Sequence, residues 1–164
     1  MSKENHQNLI TSVAREIAEF QNAGSLVDEA VAQQMGINRT DQRCLGLLWA
    51  QGAMGAGQLA IATELSPGAM TAALDRLERL GYIRRVRSLT DRRSVIVEIT
   101  PAARQLIEAF YGPIGQEGIA QLEQYSDAEL AFLRDFLRQG RELQIRHAAR
   151  IRSRASVPPL NEST

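Results

Sequence analysis

Arginine is concentrated in one short stretch of the chain, and it is the residue type best suited to phosphate groups and to narrow minor grooves. Residues 76–104 contain eight arginines and three acidic side chains, a local net charge of +5, although the whole chain is formally neutral. The neighbouring segments are acidic, with net charges of −4 over residues 1–75 and −5 over residues 105–133, and residues 134–164 are basic again at +4. Charge counted by segment therefore indicates a basic surface that suits a nucleic acid, which the net charge of zero conceals.

The residue types do not indicate a disulfide, a metal site, a phosphate-binding loop or a catalytic site. Cys44 is the only cysteine, and His6 and His147 stand at opposite ends of the chain, so neither an internal disulfide nor a metal site is expected. The segment GAMGAG at 52–57 lacks the Lys-Ser/Thr of a phosphate-binding loop, and we interpret it as an ordinary loop. No nucleophile stands in a recognisable pairing with a base, so the sequence predicts neither an enzyme nor a cofactor.

The chain carries no signal for a membrane. Its longest uninterrupted apolar run, Cys44–Ala50, has seven residues, far below the ~20 that a membrane span needs. With a polar N-terminus, this predicts a cytoplasmic protein, and the basic segment predicts that it is nucleoid-associated. We interpret Cys44 itself as a small buried apolar residue, and a functional effect of thiol oxidation stays an alternative.

Hydrophobic periodicity predicts a mainly helical chain with one β-hairpin. Helices are expected over 7–34, from an N-cap at Thr40 to Gly52, over 56–63, over 67–80, from Thr100-Pro101 to a kink or break at Gly112-Pro113, and from a capping box at 126–129 to Arg152. Strands are expected at Tyr82–Arg87 and Ser94–Thr100. The fold class is therefore mainly α with a small β-wing.

The best-defined helix start is Ser66, a good N-cap followed by Pro67 at the first helical position. The predicted buried side of the helix that follows consists of Met70, Ala73, Leu74, Leu77 and Leu80. Two helices joined by a tight turn and followed directly by a hairpin form a winged helix-turn-helix, whose second helix can enter the major groove N-terminal end first. The side predicted to face the groove carries Gly68, Ala69, Thr71 and Ala72, and the hairpin adds Arg84, Arg85, Arg87, Arg92 and Arg93.

The segment from Gln58-Leu59-Ala60 through LSPGAMTAALDRLERLGYIRRVRSLTDRRSVIVEITPAAR resembles the multiple antibiotic resistance regulator (MarR) family of bacterial transcription factors. Its most specific pieces are Asp75-Arg76-Leu77, Leu80-Gly81-Tyr82 and Asp91-Arg92-Arg93 before a valine-rich strand. The flanking helices match in order and length. The resemblance implies a homodimer in which the N- and C-terminal helices interlock. Each subunit then presents one winged helix to a half-site of a pseudo-palindromic operator, with half-sites roughly 34 Å apart.

Residue roles follow from the resemblance one position at a time. Arg93 matches the wing-tip arginine that enters the minor groove, Asp91 matches the acidic residue that positions it, and Arg92 is a helper. Thr71 matches a base-facing position, and Ser66 and Arg76 match positions that contact the DNA backbone. The expected DNA-binding set is Ser66, Pro67, Gly68, Ala69, Thr71, Ala72, Arg76, Arg87, Arg92 and Arg93. A surface salt bridge between Asp91 and Arg93 that merely closes the hairpin is the simpler alternative.

The sequence departs from the family pattern in two places. Gly55 replaces the usual Ser/Thr cap of the short helix, which glycine tolerates. Gly68, Ala69 and Ala72 replace side chains that often read bases. We therefore hypothesise that specificity depends on methyl contacts, on Thr71 and on DNA shape read by the wing.

The resemblance also implies a small aromatic or phenolic effector, bound between the dimerisation helices and the winged helix. The candidate ligand-binding residues by type are Phe20, Leu48, Trp49, Phe110 and Tyr111. For each of these residues taken singly, ordinary core packing is the favoured explanation.

These features predict a homodimeric, ligand-responsive repressor that binds specific DNA. The expected domains are an N-terminal dimerisation helix (1–36), a winged helix-turn-helix DNA-binding domain (37–100), C-terminal dimerisation helices (101–154) and a disordered tail (155–164). The alternative is a winged helix that has become a protein-interaction module. A steep fall of DNA affinity with rising salt would separate the two, because phosphate contacts release counterions.

Overall fold

The computed structural model describes residues 3–87 and 95–154, and these residues form helices and one small antiparallel sheet. In chain order the elements are α1 (Lys3–Met35), α2 (Arg39–Gln51), β1 (Met54–Gly55), α3 (Ala56–Thr63), α4 (Pro67–Arg79), β2 (Ile83–Arg87), β3 (Val95–Ile99), α5 (Pro101–Leu122) and α6 (Asp127–Arg152). The predicted class, mainly α with a small β-wing, is confirmed. The chain divides into two compact units, Met1–Gly112 and Pro113–Thr164. The predicted tail at 155–164 lies outside the described residues.

The connection between α1 and α2 corrects one predicted helix start. Gly36 adopts a φ of +63° directly after α1, the left-handed conformation in which glycine commonly ends a helix. Asn38, not Thr40, is the N-cap of α2: its Oδ1 accepts from the N–H of Asp41 at 3.0 Å, and Asp41 Oδ2 accepts from the N–H of Asn38 at 3.2 Å. This reciprocal capping box satisfies two main-chain donors, whereas a start at Thr40 offers no comparable pair.

The core of the first unit lies between α2, α3, α4 and the sheet, and the C-terminal end of α1 and the first turns of α5 also contribute buried residues. Its fully buried side chains include Leu48, Leu59, Leu77, Ile83 and Val97. The predicted buried side of the 67–80 helix is confirmed for Met70, Ala73, Leu74 and Leu77. The prediction was wrong for Leu80, which is 41% exposed: it is the C-cap of α4 and keeps a helical φ of −78°, but the buried side of the helix ends at Leu77.

The sheet contains a strand that the sequence did not predict. Met54 pairs with Val97 and Gly55 with Ile96, so the strand order is β1-β3-β2 and the segment 52–57 is not only a loop. A two-residue strand has no alternation to detect, and only its partner β3 defines it. The predicted hairpin strands are confirmed, with Ile83 opposite Ile99 and Arg85 opposite Val97.

Helix α5 begins as predicted but continues further than expected. Thr100 Oγ1 accepts from the N–H of Ala103 at 3.2 Å and so caps the helix. Of the two predicted effects of Gly112-Pro113, the break does not occur, since α5 includes Pro113 and ends at Leu122, and the kink stays a prediction. A proline inside a helix removes one hydrogen bond, and the remaining turns of α5 tolerate that loss. In α6 the predicted capping box is confirmed, with Ser126 N–H donating to Glu129 Oε2 at 2.8 Å.

The capping box of α2 can be tested by replacing its cap. Asn38→Ala is expected to lower the free energy of unfolding by about 1 kcal/mol, because the main-chain N–H of Asp41 loses its acceptor. Thr40→Ala is the matched control, and its effect is expected to stay within about 0.5 kcal/mol. Urea denaturation of both variants at one protein concentration measures the difference. A larger loss for Thr40→Ala would contradict the assignment of the cap.

Candidate nucleic-acid interface

Helices α3 and α4 form the helix-turn-helix, and a tight turn joins them. Glu64 ends α3 with a φ of +56°, a left-handed conformation that is uncommon outside glycine, and it reverses the chain within two residues. Ser66 then caps α4 as predicted, its Oγ accepting from the N–H of Ala69 at 3.3 Å, and Pro67 occupies the first helical position. The start of α4 is therefore determined locally, by residues of the turn itself.

The side of α4 that faces away from the core presents the residues predicted to face DNA. Ser66, Pro67, Gly68, Ala69, Thr71 and Ala72 are all exposed. Most residues of this face are small: Gly68 has no side chain, and Ala69 and Ala72 offer only methyl groups. The hydroxyl of Thr71 donates to the carbonyl oxygen of Pro67 at 3.0 Å within the helix. The face is thus narrow enough to approach the floor of a groove closely.

Arg76 takes part in a buried ion pair that fixes α4 against α2. The carboxylate of Asp41 is fully buried, and Arg76 donates to both of its oxygens, from Nε to Oδ2 at 2.7 Å and from Nη2 to Oδ1 at 2.6 Å. The bond with Asp41 raises the pKa of Arg76 above its usual value. The predicted contact of Arg76 with the DNA backbone stays a prediction, and its side chain keeps 32% of its surface exposed.

A second set of ion pairs joins the recognition helix α4 to the wing. Arg85 in β2 donates to Asp75 Oδ1 at 2.6 Å and to Glu78 Oε2 at 2.8 Å, and its main-chain N–H donates to Glu78 Oε1 at 3.0 Å. Arg84 pairs with Glu98 across the sheet at 2.5 Å. Two of the arginines counted as basic wing surface therefore neutralise acidic groups of the same unit.

Sequence reasoning missed Asp41 and Glu78 as positioning residues. The signal for Glu78 was present, because only a three-residue turn separates α4 from β2 and Glu78 is seven residues from Arg85. Asp41 is 35 residues from Arg76 in the chain, and no local pattern joins them. Among the described arginines of the interface, Arg79 and Arg87 are exposed and have no ion-pair partner within the described residues. Asp91, Arg92 and Arg93 lie outside the described residues.

A cavity of about 560 Å³ lies between α1, α2 and the first turns of α5, within the first unit. Of the five residues predicted to bind a ligand, Trp49 and Tyr111 line it. Leu48 is 1% exposed and packs in the core, Phe110 is half-buried against the core, and Phe20 is 77% exposed on α1. None of these three is among the lining residues.

The wall of this cavity combines apolar and polar groups. Tyr111 donates to Asp28 Oδ1 at 2.8 Å, and Gln42 Nε2 donates to the carbonyl oxygen of Asp28 at 2.7 Å. Burial raises the pKa of Tyr111, and its bond to Asp28 raises it further, so the phenol stays protonated at neutral pH. Arg39 and Arg43 also line the cavity and have no ion-pair partner among the described residues. An apolar cavity with a few polar groups is typical of a small-molecule site.

Cys44 lies in the core of the first unit, with no exposed surface. Burial, and secondly the negative charge of Asp41, raise the pKa of its thiol to about 11. The reactive thiolate is therefore scarce at neutral pH. Burial confirms the interpretation of Cys44 as a small apolar core residue.

Comparison with known proteins identifies the family to which these features belong. The model of the MarR family matches residues 37–95, which span α2 through the first residue of β3. The transcriptional regulator YcgE of Bacillus subtilis, of the helix-turn-helix type, is 30% identical over 127 residues, which cover 77% of this chain and 82% of YcgE. The chain belongs to the MarR family. Its relatives are named as transcriptional regulators, not enzymes.

Solved structures agree with the MarR fold. The transcriptional regulator PA4135 is 26% identical, with a TM-score of 0.54 over 79% of this chain and 95% of that protein. MepR of S. aureus in complex with DNA is 20% identical, with a TM-score of 0.58 over 80% of this chain and 98% of that protein, and shows the same fold.

Two kinds of site are absent from the part of the chain that the structure describes. Within residues 3–87 and 95–154, no three His, Cys, Asp or Glu side chains are grouped to hold a metal ion. Over the same residues, no helix combines the length and apolar character of a membrane span.

The ion pair between Asp41 and Arg76 predicts a strongly non-additive mutational cycle. Arg76→Ala leaves a buried carboxylate unpaired and is expected to lower the free energy of unfolding by about 3 kcal/mol. The double variant Asp41→Ala/Arg76→Ala is expected to cost clearly less than the two single losses added together, because it leaves no buried charge. Urea denaturation of the four proteins gives the coupling energy.

A double-mutant cycle on the exposed cross-strand pair of Arg84 and Glu98 is the matched control. Its coupling energy is expected to stay below about 1 kcal/mol, since water screens the two charges. Additive losses in the Asp41–Arg76 cycle would refute the assigned role of that pair.

Proposed function

We propose that this MarR-family chain is a homodimeric, sequence-specific DNA-binding repressor whose operator is released when a small ligand binds. One observation carries the DNA-binding part: the N-terminal face of α4 is exposed, and ion pairs of Arg85 join α4 to a wing that bears Arg87. Helices of this kind enter the major groove N-terminal end first, while wing arginines reach phosphates and the minor groove. A location on the nucleoid belongs to the same proposal.

Exposed apolar side chains support dimerisation. In the first unit, α1 exposes Leu9, Ile10, Val13, Ile17 and Phe20. In the second unit, α6 exposes Phe132, Phe136, Leu137, Leu143, Ile145 and Ile151. Apolar surface on this scale marks an interaction site, because leaving it in water is costly. A second copy of the chain is the partner that the family relationship favours.

Two-fold symmetry would set the geometry of the operator. A dimer presents two copies of α4, and these match half-sites separated by one helical turn of DNA, roughly 34 Å. A pseudo-palindromic operator follows from that symmetry. A ligand that changes the spacing of the two recognition helices would then lower operator affinity, which is the expected route of release.

The cavity between α1, α2 and α5 supports the ligand-responsive part. Helix α2 contributes Gln42 and Arg43 to the cavity wall, and it also holds α4 through Asp41. One helix therefore borders the cavity and fixes the recognition helix. The aromatic side chains of Trp49 and Tyr111 suit a small aromatic or phenolic compound.

Replacement of the wing-tip arginine tests DNA binding. Arg93→Ala is expected to weaken operator binding about tenfold at physiological salt and to reduce the slope of log affinity against log salt by about one. Arg84→Ala is the control, because Arg84 is already neutralised by Glu98 and is expected to change binding little. The operator is selected from random duplexes with the full chain, and fluorescence anisotropy measures its affinity.

The same titrations test the alternative function, a protein-interaction module. Light scattering of the complex tests the stoichiometry and is expected to show two chains per operator. Near-wild-type affinity of Arg93→Ala would refute the proposed wing contact. The absence of any selected sequence, together with a flat salt dependence, would favour a protein-interaction module instead.

Ligand binding in the cavity can be tested with a variant whose side chain fills it. Trp49 is the only tryptophan of the chain, so a bound aromatic compound is expected to change its fluorescence. Gly46 lines the cavity, and a Cβ there would meet no atom within 4 Å, so Gly46→Leu is expected to fold and to abolish the response. Gly57→Leu, an exposed glycine outside the cavity, is the control. A panel of phenols and aromatic acids serves as the probe, and an unchanged response in Gly46→Leu would place binding elsewhere.

A further inference from the structure

The recognition helix α4 offers DNA an unusually limited set of chemical groups. This inference rests on the proposed function, in which the first two turns of α4 lie in the major groove. The side chains that identify purines there are well defined: Arg or Lys pairs with guanine, and Asn or Gln pairs with adenine. The exposed residues of these two turns include none of the four types.

The polar groups on this face are already engaged within the chain. Thr71 donates its only hydroxyl proton to the carbonyl oxygen of Pro67, so it retains an acceptor and a γ-methyl group. The hydroxyl oxygen of Ser66 caps the helix. One turn further on, Asp75 binds Arg85 and Arg76 binds Asp41. What the face offers to base edges is therefore chiefly methyl groups, those of Ala69, Thr71 and Ala72.

Gly68 provides independent support for a close approach. It is an exposed residue in the first turn of α4, and a Cβ added there would meet no atom within 4 Å. Packing within the described chain therefore does not require glycine, although glycine weakens a helix relative to alanine. A missing side chain at this position lets the helix come closer to another surface. Methyl contacts need such proximity, since dispersion acts only at about 3.5–4.0 Å.

The apolar group in the major groove is the C5-methyl of thymine, and 5-methylcytosine carries the same methyl at the same place. We propose that α4 recognises C5-methyl groups of pyrimidines, so that 5-methylcytosine replaces thymine in the operator whereas uracil does not. Operator binding by this protein then depends on the methylation state of cytosines in the half-sites. Thr71 and Ala72 are the specificity-determining residues of this contact.

Chemically modified operators test this proposal. With the full chain and its selected operator, thymines in each half-site are replaced in turn by uracil, by cytosine and by 5-methylcytosine, with guanine opposite the last two. Fluorescence anisotropy at fixed salt is expected to show about a fourfold loss for each contacted thymine changed to uracil, the effect of one buried methyl group. Methylation of the substituted cytosine is expected to restore about fourfold in affinity.

Two outcomes separate this inference from the proposed function. If uracil-containing operators bind as tightly as thymine-containing ones at every half-site position, methyl recognition is wrong while specific DNA binding stands. If the chain selects no operator at all, the proposed function fails and the inference fails with it.

Side-chain variants test whether Thr71 and Ala72 make the contact with the C5-methyl group. The ratio of affinities for thymine and uracil operators compares two duplexes with one protein, so a change in protein stability does not affect it. Thr71→Ser, which keeps the hydroxyl and removes the γ-methyl, and Ala72→Gly are expected to reduce this ratio toward one at their own positions. Ala149→Gly, an exposed alanine in α6, is the control and is expected to keep it. An unchanged ratio in both α4 variants would overturn the assignment to these residues.

Discussion

The arrangement of the winged helix depends on one ion pair, that between Asp41 in α2 and Arg76 in α4. The carboxylate is fully buried, and three hydrogen bonds occupy it, two from Arg76 and one from the main chain of Asn38. Removing one partner of a buried pair costs far more than an exposed pair ever contributes, because the remaining charge lacks both water and its counterion. The pair therefore restricts the orientations that α4 can adopt against the core. The same carboxylate of Asp41 also completes the capping box at the start of α2.

A second group of ion pairs constrains the wing relative to α4. Asp75 and Glu78 both bind Arg85, so the recognition helix and strand β2 are joined by side chains as well as by the short turn between them. These ion pairs change how the charge of the basic segment, residues 76–104, is interpreted. Its charge of +5 is a count along the chain, whereas Arg76, Arg84 and Arg85 are neutralised by acidic partners. Arg79 and Arg87 are the exposed arginines of the described interface with no ion-pair partner within the described residues.

Helix α2 connects this interface with the cavity. Its first two turns contribute Arg39, Gln42 and Arg43 to the cavity wall, and Asp41 points to the recognition helix. Two neighbouring residues, Asp41 and Gln42, thus bind α4 on one side and α1 on the other. In the proposed ligand-responsive regulator, α2 is the element that the cavity and the recognition helix share.

The features that depend on neighbouring residues could be predicted from the amino-acid sequence alone. The caps at Ser66 and Ser126, the start of α5, the buried side of α4 and the strands of the wing follow from local propensity and periodicity, which act within a few residues. Tertiary structure decided what those rules cannot reach: the N-cap at Asn38 in place of Thr40, strand β1, the exposure of Leu80, the continuation of α5 past Pro113, and the pairing of arginines with acids. Of the five predicted ligand residues, only Trp49 and Tyr111 line the cavity, because residue type identifies an aromatic side chain but not the space beside it. Residues far apart in the chain meet only when the core has formed, so the partner of Arg76 was decided by packing and could not be found from the sequence.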